Sequence, residues 1–199
     1  MNEEARTPVK TPALPERAVT VYRKLPIVVE GVDCSGKTTF CKWLAYELID
    51  RKVNVEFYHH GPLRTSVYEE YVKPLTETSI YPTVLLADRW HLGEMVYGPL
   101  YRGKSEMSDV ELDEIEGLLN IRDAKKILLD IPTGEVLRRM KARGEDFLKE
   151  EDLGKAIATY ELLAGKHGYE VFRNPCYGDA VKIAKEAADE CARHSVRVR

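Results

Sequence analysis

Leu25-Pro26-Ile27-Val28-Val29-Glu30-Gly31-Val32-Asp33-Cys34-Ser35-Gly36-Lys37-Thr38-Thr39 is the stretch that decides the fold. Its first part is a short apolar run that stops at a glycine, the pattern of a strand buried inside a parallel sheet. Beyond Lys37 the apolar residues recur as Phe40, Cys41, Leu44 and Leu48, the stripe of a helix. A glycine loop between a strand and a helix is the setting in which G-x-x-x-x-G-K-[ST] binds phosphate. Gly31, Gly36, Lys37 and Thr38 fill its fixed positions. Glycine lets the backbone turn tightly and bring successive N–H groups onto phosphate oxygens. The helix points its positive end at the same anion. Lys37 adds a mobile charge for the β- and γ-phosphates, and the Thr38 hydroxyl can ligate Mg²⁺. Asp33, Cys34, Ser35 and Thr39 complete the loop, which is expected to hold ATP·Mg²⁺.

Outward from this loop, strand and helix patterns alternate. Further strands are expected over Val53–Tyr58, Thr83–Ala87, Lys126–Ile131 and Tyr169–Phe172. Helices are expected over Ser66–Val72, ended by Pro74, and over Trp90–Val96. A capping box at Ser108–Glu111 opens another helix, and Thr133 caps one running to about Lys141. Two more cover Glu151–Lys166 and the Ala180, Ala184, Ala187, Cys191 stripe. Such alternation argues for an α/β fold, a parallel sheet covered by helices on both faces. Residues 1–22, with prolines at 8, 12 and 15, read as a flexible tail before a single domain over 23–199.

Thr83-Val84-Leu85-Leu86-Ala87-Asp88-Arg89 places a carboxylate and a guanidinium at the end of a buried strand, the edge where open α/β sheets bind ligands. Asp88 can organise Mg²⁺ or take a proton, and Arg89 can hold an acceptor phosphate in a bidentate fork. Arg138, Arg139, Lys141 and Arg143 crowd one helix end, with Arg139 and Arg143 on one face. Closed over a nucleotide as a lid at about 138–152, they would neutralise charge on a phosphoryl group in flight. A solvated basic face near a helix C-terminus is the plain alternative.

Bulk properties narrow the class. Of 199 residues, 44% are hydrophobic and 32% charged, and the net charge is −3, so no basic excess points to a nucleic-acid or membrane partner. Cys34, Cys41, Cys176 and Cys191 form no CxxC pair, which disfavours zinc and a disulfide framework. No apolar leader and no apolar run of ~20 residues is present, so a cytoplasmic enzyme is expected. The nearest approach to a guanine-reading N-K-x-D, Asn120-Ile121-Arg122-Asp123, has arginine where lysine is needed and sits at an expected helix end, which argues against a GTPase.

Three blocks together resemble the thymidylate kinase-like nucleotide kinases. Glu30–Thr39 resembles E-G-x-[DE]-G-[AS]-G-K-[ST]-T. Asp88-Arg89 with Tyr97 resembles the D-R-[YFW] block and its tyrosine. Leu129-Asp130-Ile131-Pro132 through Arg139, Arg143, Gly144 and Glu145 resembles the L-D-[VI]-P strand end and arginine lid. Val96–Gly103 is similar to members encoded by bacteriophages, which would place the enzyme in the host cytoplasm. The resemblance implies a three-layer P-loop kinase fold with a five-stranded parallel sheet and an arginine-bearing lid. It implies ATP·Mg²⁺ on the loop and a deoxynucleoside monophosphate, dTMP or a modified relative, as acceptor. Asp33 would approach the sugar 3′-hydroxyl, Arg89 would clamp the acceptor phosphate, and Tyr97 would line the sugar or base pocket. Adenine would lie between the lid and Arg173-Asn174. A homodimer is a further implication.

The acceptor side departs from that pattern. Tyr58-His59-His60-Gly61-Pro62 replaces T-R-E-P-G, Gly98 replaces glutamine and Gly93 replaces serine. Small residues at 93 and 98 are expected to make room for a larger base unless another side chain fills it. Adjacent histidines on an extended segment point opposite ways, which argues against a metal pair. His60, Arg64, Tyr97, Tyr101 and Arg102 are expected around the acceptor, while Trp43 and Tyr46 read as packing or surface. The rival readings are a deoxynucleoside kinase, a kinase acting on a nucleotide within DNA, and a catalytically inert nucleotide switch.

Overall fold

The structure is a computed structural model that describes residues 19–144, 148–191, 193 and 195–198. Its centre is a parallel sheet formed by β2 (Leu25–Glu30), β3 (Asn54–His59), β5 (Thr83–Asp88), β6 (Lys125–Asp130) and β7 (Glu170–Arg173). Their order is β3-β5-β2-β6-β7, with β2 in the middle and β5 beside it. Both of these strands are buried along their whole length, as apolar runs without polar alternation require. Each neighbouring pair is parallel, and the registers Val29↔Asp88 and His59↔Asp88 bring three strand ends to one level.

Period-two alternation sorts the sheet's side chains into two cores. Ile27, Val29, Leu86 and Leu129 face α1 (Lys37–Asp50) and α7 (Tyr177–Cys191). Val28, Leu85, Ala87 and Leu128 face the opposite core. That core also takes side chains from α3 (Leu92–Arg102), α4 (Asp109–Ile121), α5 (Thr133–Arg143) and α6 (Glu150–His167). The expected three-layer α/β architecture, a five-stranded parallel sheet between helices, is therefore present. The capping box forms as read: Ser108 Oγ accepts from Glu111 N and the Glu111 carboxylate accepts from Ser108 N.

Several local expectations are corrected. Thr133 is the first residue of α5 and not its cap, the capping position being Pro132. Pro74 does not stop the helix before it. A π-helical turn, Tyr68–Val72, runs directly into α2 (Lys73–Thr76), and Pro74 is the second residue of that segment. Residues 19–22, read as tail, belong to β1 (Val19–Arg23). This strand lies between β4 (Thr78–Ser79) and β8 (Ser195–Val198) in a small antiparallel sheet. Lys24, at the turn from β1 into β2, is buried and donates to Glu56 (2.8 Å) and Glu77 (2.9 Å), tying the two sheets together. The remainder of the expected tail, 1–18, and lid residues 145–147 lie outside the described residues. Among the described residues no helix is long and apolar enough to cross a membrane.

Candidate functional site

The loop between β2 and α1 owes its shape to glycine at two points. Gly31 has φ +142, and a Cβ there would stand 2.7 Å from the Leu129 carbonyl oxygen, so β6 leaves room for hydrogen alone. Gly36, at φ +97, is the left-handed residue that turns the chain into α1, with Arg139 Nη1 3.4 Å from where its Cβ would lie. Lys37 is folded back over this loop. Its ammonium donates to the carbonyls of Gly31 (2.8 Å) and Val32 (2.7 Å). Burial, helped by the neighbouring Arg89 charge, pushes it down to about 8 against the pull of Asp33, Asp88 and Glu30.

The Asp88 carboxylate closes one side. Oδ2 accepts from the Thr38 hydroxyl at 2.6 Å and lies 3.0 Å from His59 Nδ1. Oδ1 is buried with no hydrogen-bond partner among the described residues. An orphaned carboxylate oxygen beside a threonine hydroxyl is a donor set suited to a hard, oxygen-seeking cation such as Mg²⁺. Arg89, at φ +69, turns away from the strand and pairs with Asp33, whose own N–H donates to Tyr97 Oη at 3.1 Å. The turn is anchored from beneath by fully buried Glu30, one oxygen of which accepts from Trp90 N (2.9 Å) and Leu92 N (3.1 Å). Burial raises the Glu30 carboxyl to about 7, against those two N–H donors and the nearby Lys37 and Arg89 charges.

Across the loop, Arg139 Nη1 donates to the Cys34 carbonyl (3.2 Å) while its Nε donates to Glu135 (2.7 Å). A cavity of about 520 Å³ spans these parts. One end is the phosphate loop from Cys34 to Thr39 with Asp88, Arg89 and His59. The other end is formed by Phe40, Trp43, Asn174 and Pro175, with Arg139, Arg143 and Ile131 also lining the space.

Eleven expected site residues therefore meet here: Cys34, Ser35, Gly36, Lys37, Thr38, Thr39, Asp88, Arg89, Arg139, Arg143 and Asn174. Others do not. Arg173 Nε donates to Asp130 (3.2 Å) and its side chain is outside the cavity lining. His60 packs among Tyr58, Tyr71 and Trp90 away from the cavity, and its neighbour His59 takes the place by Asp88, because successive strand residues face opposite ways. Arg64 is exposed, and its backbone N–H donates to Glu70 (2.8 Å). Arg102 is held by the buried Glu94 carboxylate, which also accepts from Glu106 N at 2.9 Å. Tyr101 stacks on Tyr97 and accepts from Lys149 N at 3.2 Å.

The expected room for a larger base is also corrected. A Cβ on Gly93 would stand in ordinary contact with the Tyr160 hydroxyl at 3.5 Å, so α6 borders that position. Gly98 serves a close backbone approach: a Cβ would lie 2.9 Å from both Lys104 O and Ser105 Cα. Phe40, Trp43, His59, Ile131 and Pro175 were not anticipated in the cavity. Helical spacing places Phe40 and Trp43 beyond the loop, which is the signal that would have found them.

The sheet order, the loop and the helices on both faces define a three-layer α/β fold with a G-x-x-x-x-G-K-T loop at the end of its middle strand. No family model matches the chain. In sequence it is similar to the SPbeta prophage-derived uncharacterized protein YorR of Bacillus subtilis (strain 168), 24% identical over 149 residues, covering 72% of this chain and 86% of that protein. The crystal structure of YorR in complex with phosphorylated GDP superposes with a TM-score of 0.60 at 21% identity, covering 81% of this chain and 92% of that one. Polyphosphate kinase 2 from Arthrobacter aurescens TC1 superposes at 0.55 with 15% identity, over 86% of this chain and 69% of that one.

Proposed function

We propose that this protein is an ATP- and Mg²⁺-dependent nucleoside monophosphate kinase acting on a deoxynucleoside monophosphate, dTMP or a modified pyrimidine relative. The observation that carries this reading is one cavity shared by the phosphate loop, the Thr38–Asp88 pair, Arg89 and the two α5 arginines. An acceptor phosphate oxygen bonds to the γ-phosphorus as the bond to the β–γ bridging oxygen breaks, and the electron pair leaves with ADP. Positioning and charge neutralisation carry such a reaction. Lys37 and the loop N–H groups hold the donor phosphates, while Arg139 and Arg143 balance charge on the moving group. Thr38 and Asp88 would hold Mg²⁺, which supplies electrostatic stabilisation of the phosphate oxygens when bound. Arg89 binds the acceptor phosphate, oriented by Asp33. Tyr97 lies against the Asp33 backbone on the acceptor side.

ADP release is to be measured with dTMP, dUMP, 5-hydroxymethyl-dUMP, dCMP, dGMP and dAMP, with thymidine and deoxycytidine as phosphate-free controls. Turnover with one or two monophosphates is expected, and turnover with nucleosides alone overturns the assignment. One observation favours that second reading, a deoxynucleoside kinase: Arg89 and Arg102 are already paired with Asp33 and Glu94. Arg89→Ala separates the two. Loss of a charge-assisted contact raises the acceptor KM by about 10- to 100-fold with little change for ATP if the acceptor carries a phosphate.

The depressed Lys37 ammonium gives a pH signature. Above about 8 the empty protein holds Lys37 neutral, whereas bound triphosphate favours the charged form and raises its pKa. ATP binding near pH 8 is therefore expected to take up roughly half a proton, the uptake growing as pH rises from neutrality. Calorimetry in two buffers of different ionisation heat measures it, and equal heats would remove Lys37 from the phosphates.

A further inference from the structure

The cavity has two chemically different ends, and the second is aromatic. Trp43 lies on α1 beyond the phosphate loop and lines the cavity with Phe40, Asn174 and Pro175. Its indole is braced from two sides: the Phe40 ring meets it at 6.4 Å and 68°, and the Tyr177 ring at 5.9 Å and 89°. Tyr177 is itself fixed, because its hydroxyl donates to Glu47, which also holds Arg51. Phe40 is anchored in the core, with Phe172 of β7 at 6.2 Å. Trp43 nevertheless stays partly exposed, on the cavity side of a helix whose buried face is otherwise committed to the sheet.

A rigid, partly exposed indole is costly to leave in water and well suited to a flat ligand. We propose that Trp43 is the stacking platform for the base of the donor nucleotide, which makes the donor a nucleoside triphosphate and not an inorganic polyphosphate chain. The choice has physical content, because both donors present the same phosphates to Lys37, Arg139 and Arg143. A polyphosphate chain is recognised by cations and N–H groups along its length. It has no use for an indole, a phenyl ring and a proline at the far end of the cavity. A base does: it buries apolar ring faces there while its polar edge meets Asn174. The inference rests on the phosphate loop being the donor site.

The test is binding of ATP and of inorganic tripolyphosphate, each with Mg²⁺, to the full chain by calorimetry. The Trp43→Ala substitution is expected to weaken ATP about tenfold, the scale of base stacking, and to leave tripolyphosphate within about twofold. Trp43→Phe is expected to retain most of the ATP affinity. The chain has two tryptophans, and Trp90 is 1% exposed, so quenching by ATP but not by tripolyphosphate assigns the contact to Trp43. Unchanged ATP affinity in Trp43→Ala, or equal weakening of both ligands, overturns the platform while leaving the donor site in place. Failure of the unsubstituted protein to bind either ligand overturns the donor-site reading and this inference with it.

Discussion

Substituting Lys37 with alanine is expected to reduce the rate of phosphoryl transfer by about a thousandfold or more while the chain stays folded. The size of the effect follows from position. The ammonium is the charge nearest the loop carbonyls of Gly31 and Val32, where donor phosphates would displace it from its present bonds. The small effect on folding follows from its burial. A lysine whose folded pKa lies below its unfolded value penalises the fold at pH values below about 8, and the penalty fades as pH climbs towards the unfolded pKa. Removing it relieves that penalty and offsets the lost bonds to the two carbonyls. Coupled ADP release and a thermal midpoint measure both halves. Transfer surviving within tenfold would mean that the loop does not hold the donor.

Asp88→Asn is expected to have the next largest effect, lowering kcat by about a hundredfold and raising the Mg²⁺ concentration needed for half-maximal rate. Asparagine keeps the shape and can still accept from Thr38, so the loss isolates charge. The orphaned Oδ1 is the atom at stake, since a neutral amide there offers a much weaker ligand to a hard cation. An unchanged Mg²⁺ requirement would instead assign Asp88 to holding Thr38 and His59.

The central sheet and the loop between β2 and α1 were legible in the chain because their rules are local. Gly31 and Gly36 are demanded by backbone geometry within a few residues, and Lys37 and Thr38 follow from the same turn. Asp88 could be placed because a buried strand ends there. The surroundings of Arg102 and Gly98 depend on contacts between separated segments and read poorly. Arg102 looks free in sequence, yet Glu94 on the same helix captures it. Gly98 looks like vacated space, yet the chain at Lys104 and Ser105 needs it empty. Trp43 looks like packing, and only the approach of Asn174 and Pro175 shows that it borders the cavity. The small antiparallel sheet escaped notice for a similar reason. Its strands are short, and β1 follows a proline-rich stretch that suggested a tail.

That small sheet sets the order in which the molecule can complete itself. Val19 is paired with Val198, so the contact closes almost the whole length of the described chain into a ring. Contacts of such long sequence separation carry the highest loop-closure entropy and form late. The ring closes next to the start of β2, at the end of the central sheet opposite the strand ends that carry Asp88 and the β2–α1 loop. The strand ends that carry Asp88 and the β2–α1 loop can thus be assembled from the strands between, and the seam at the far end of the sheet is expected to fasten last.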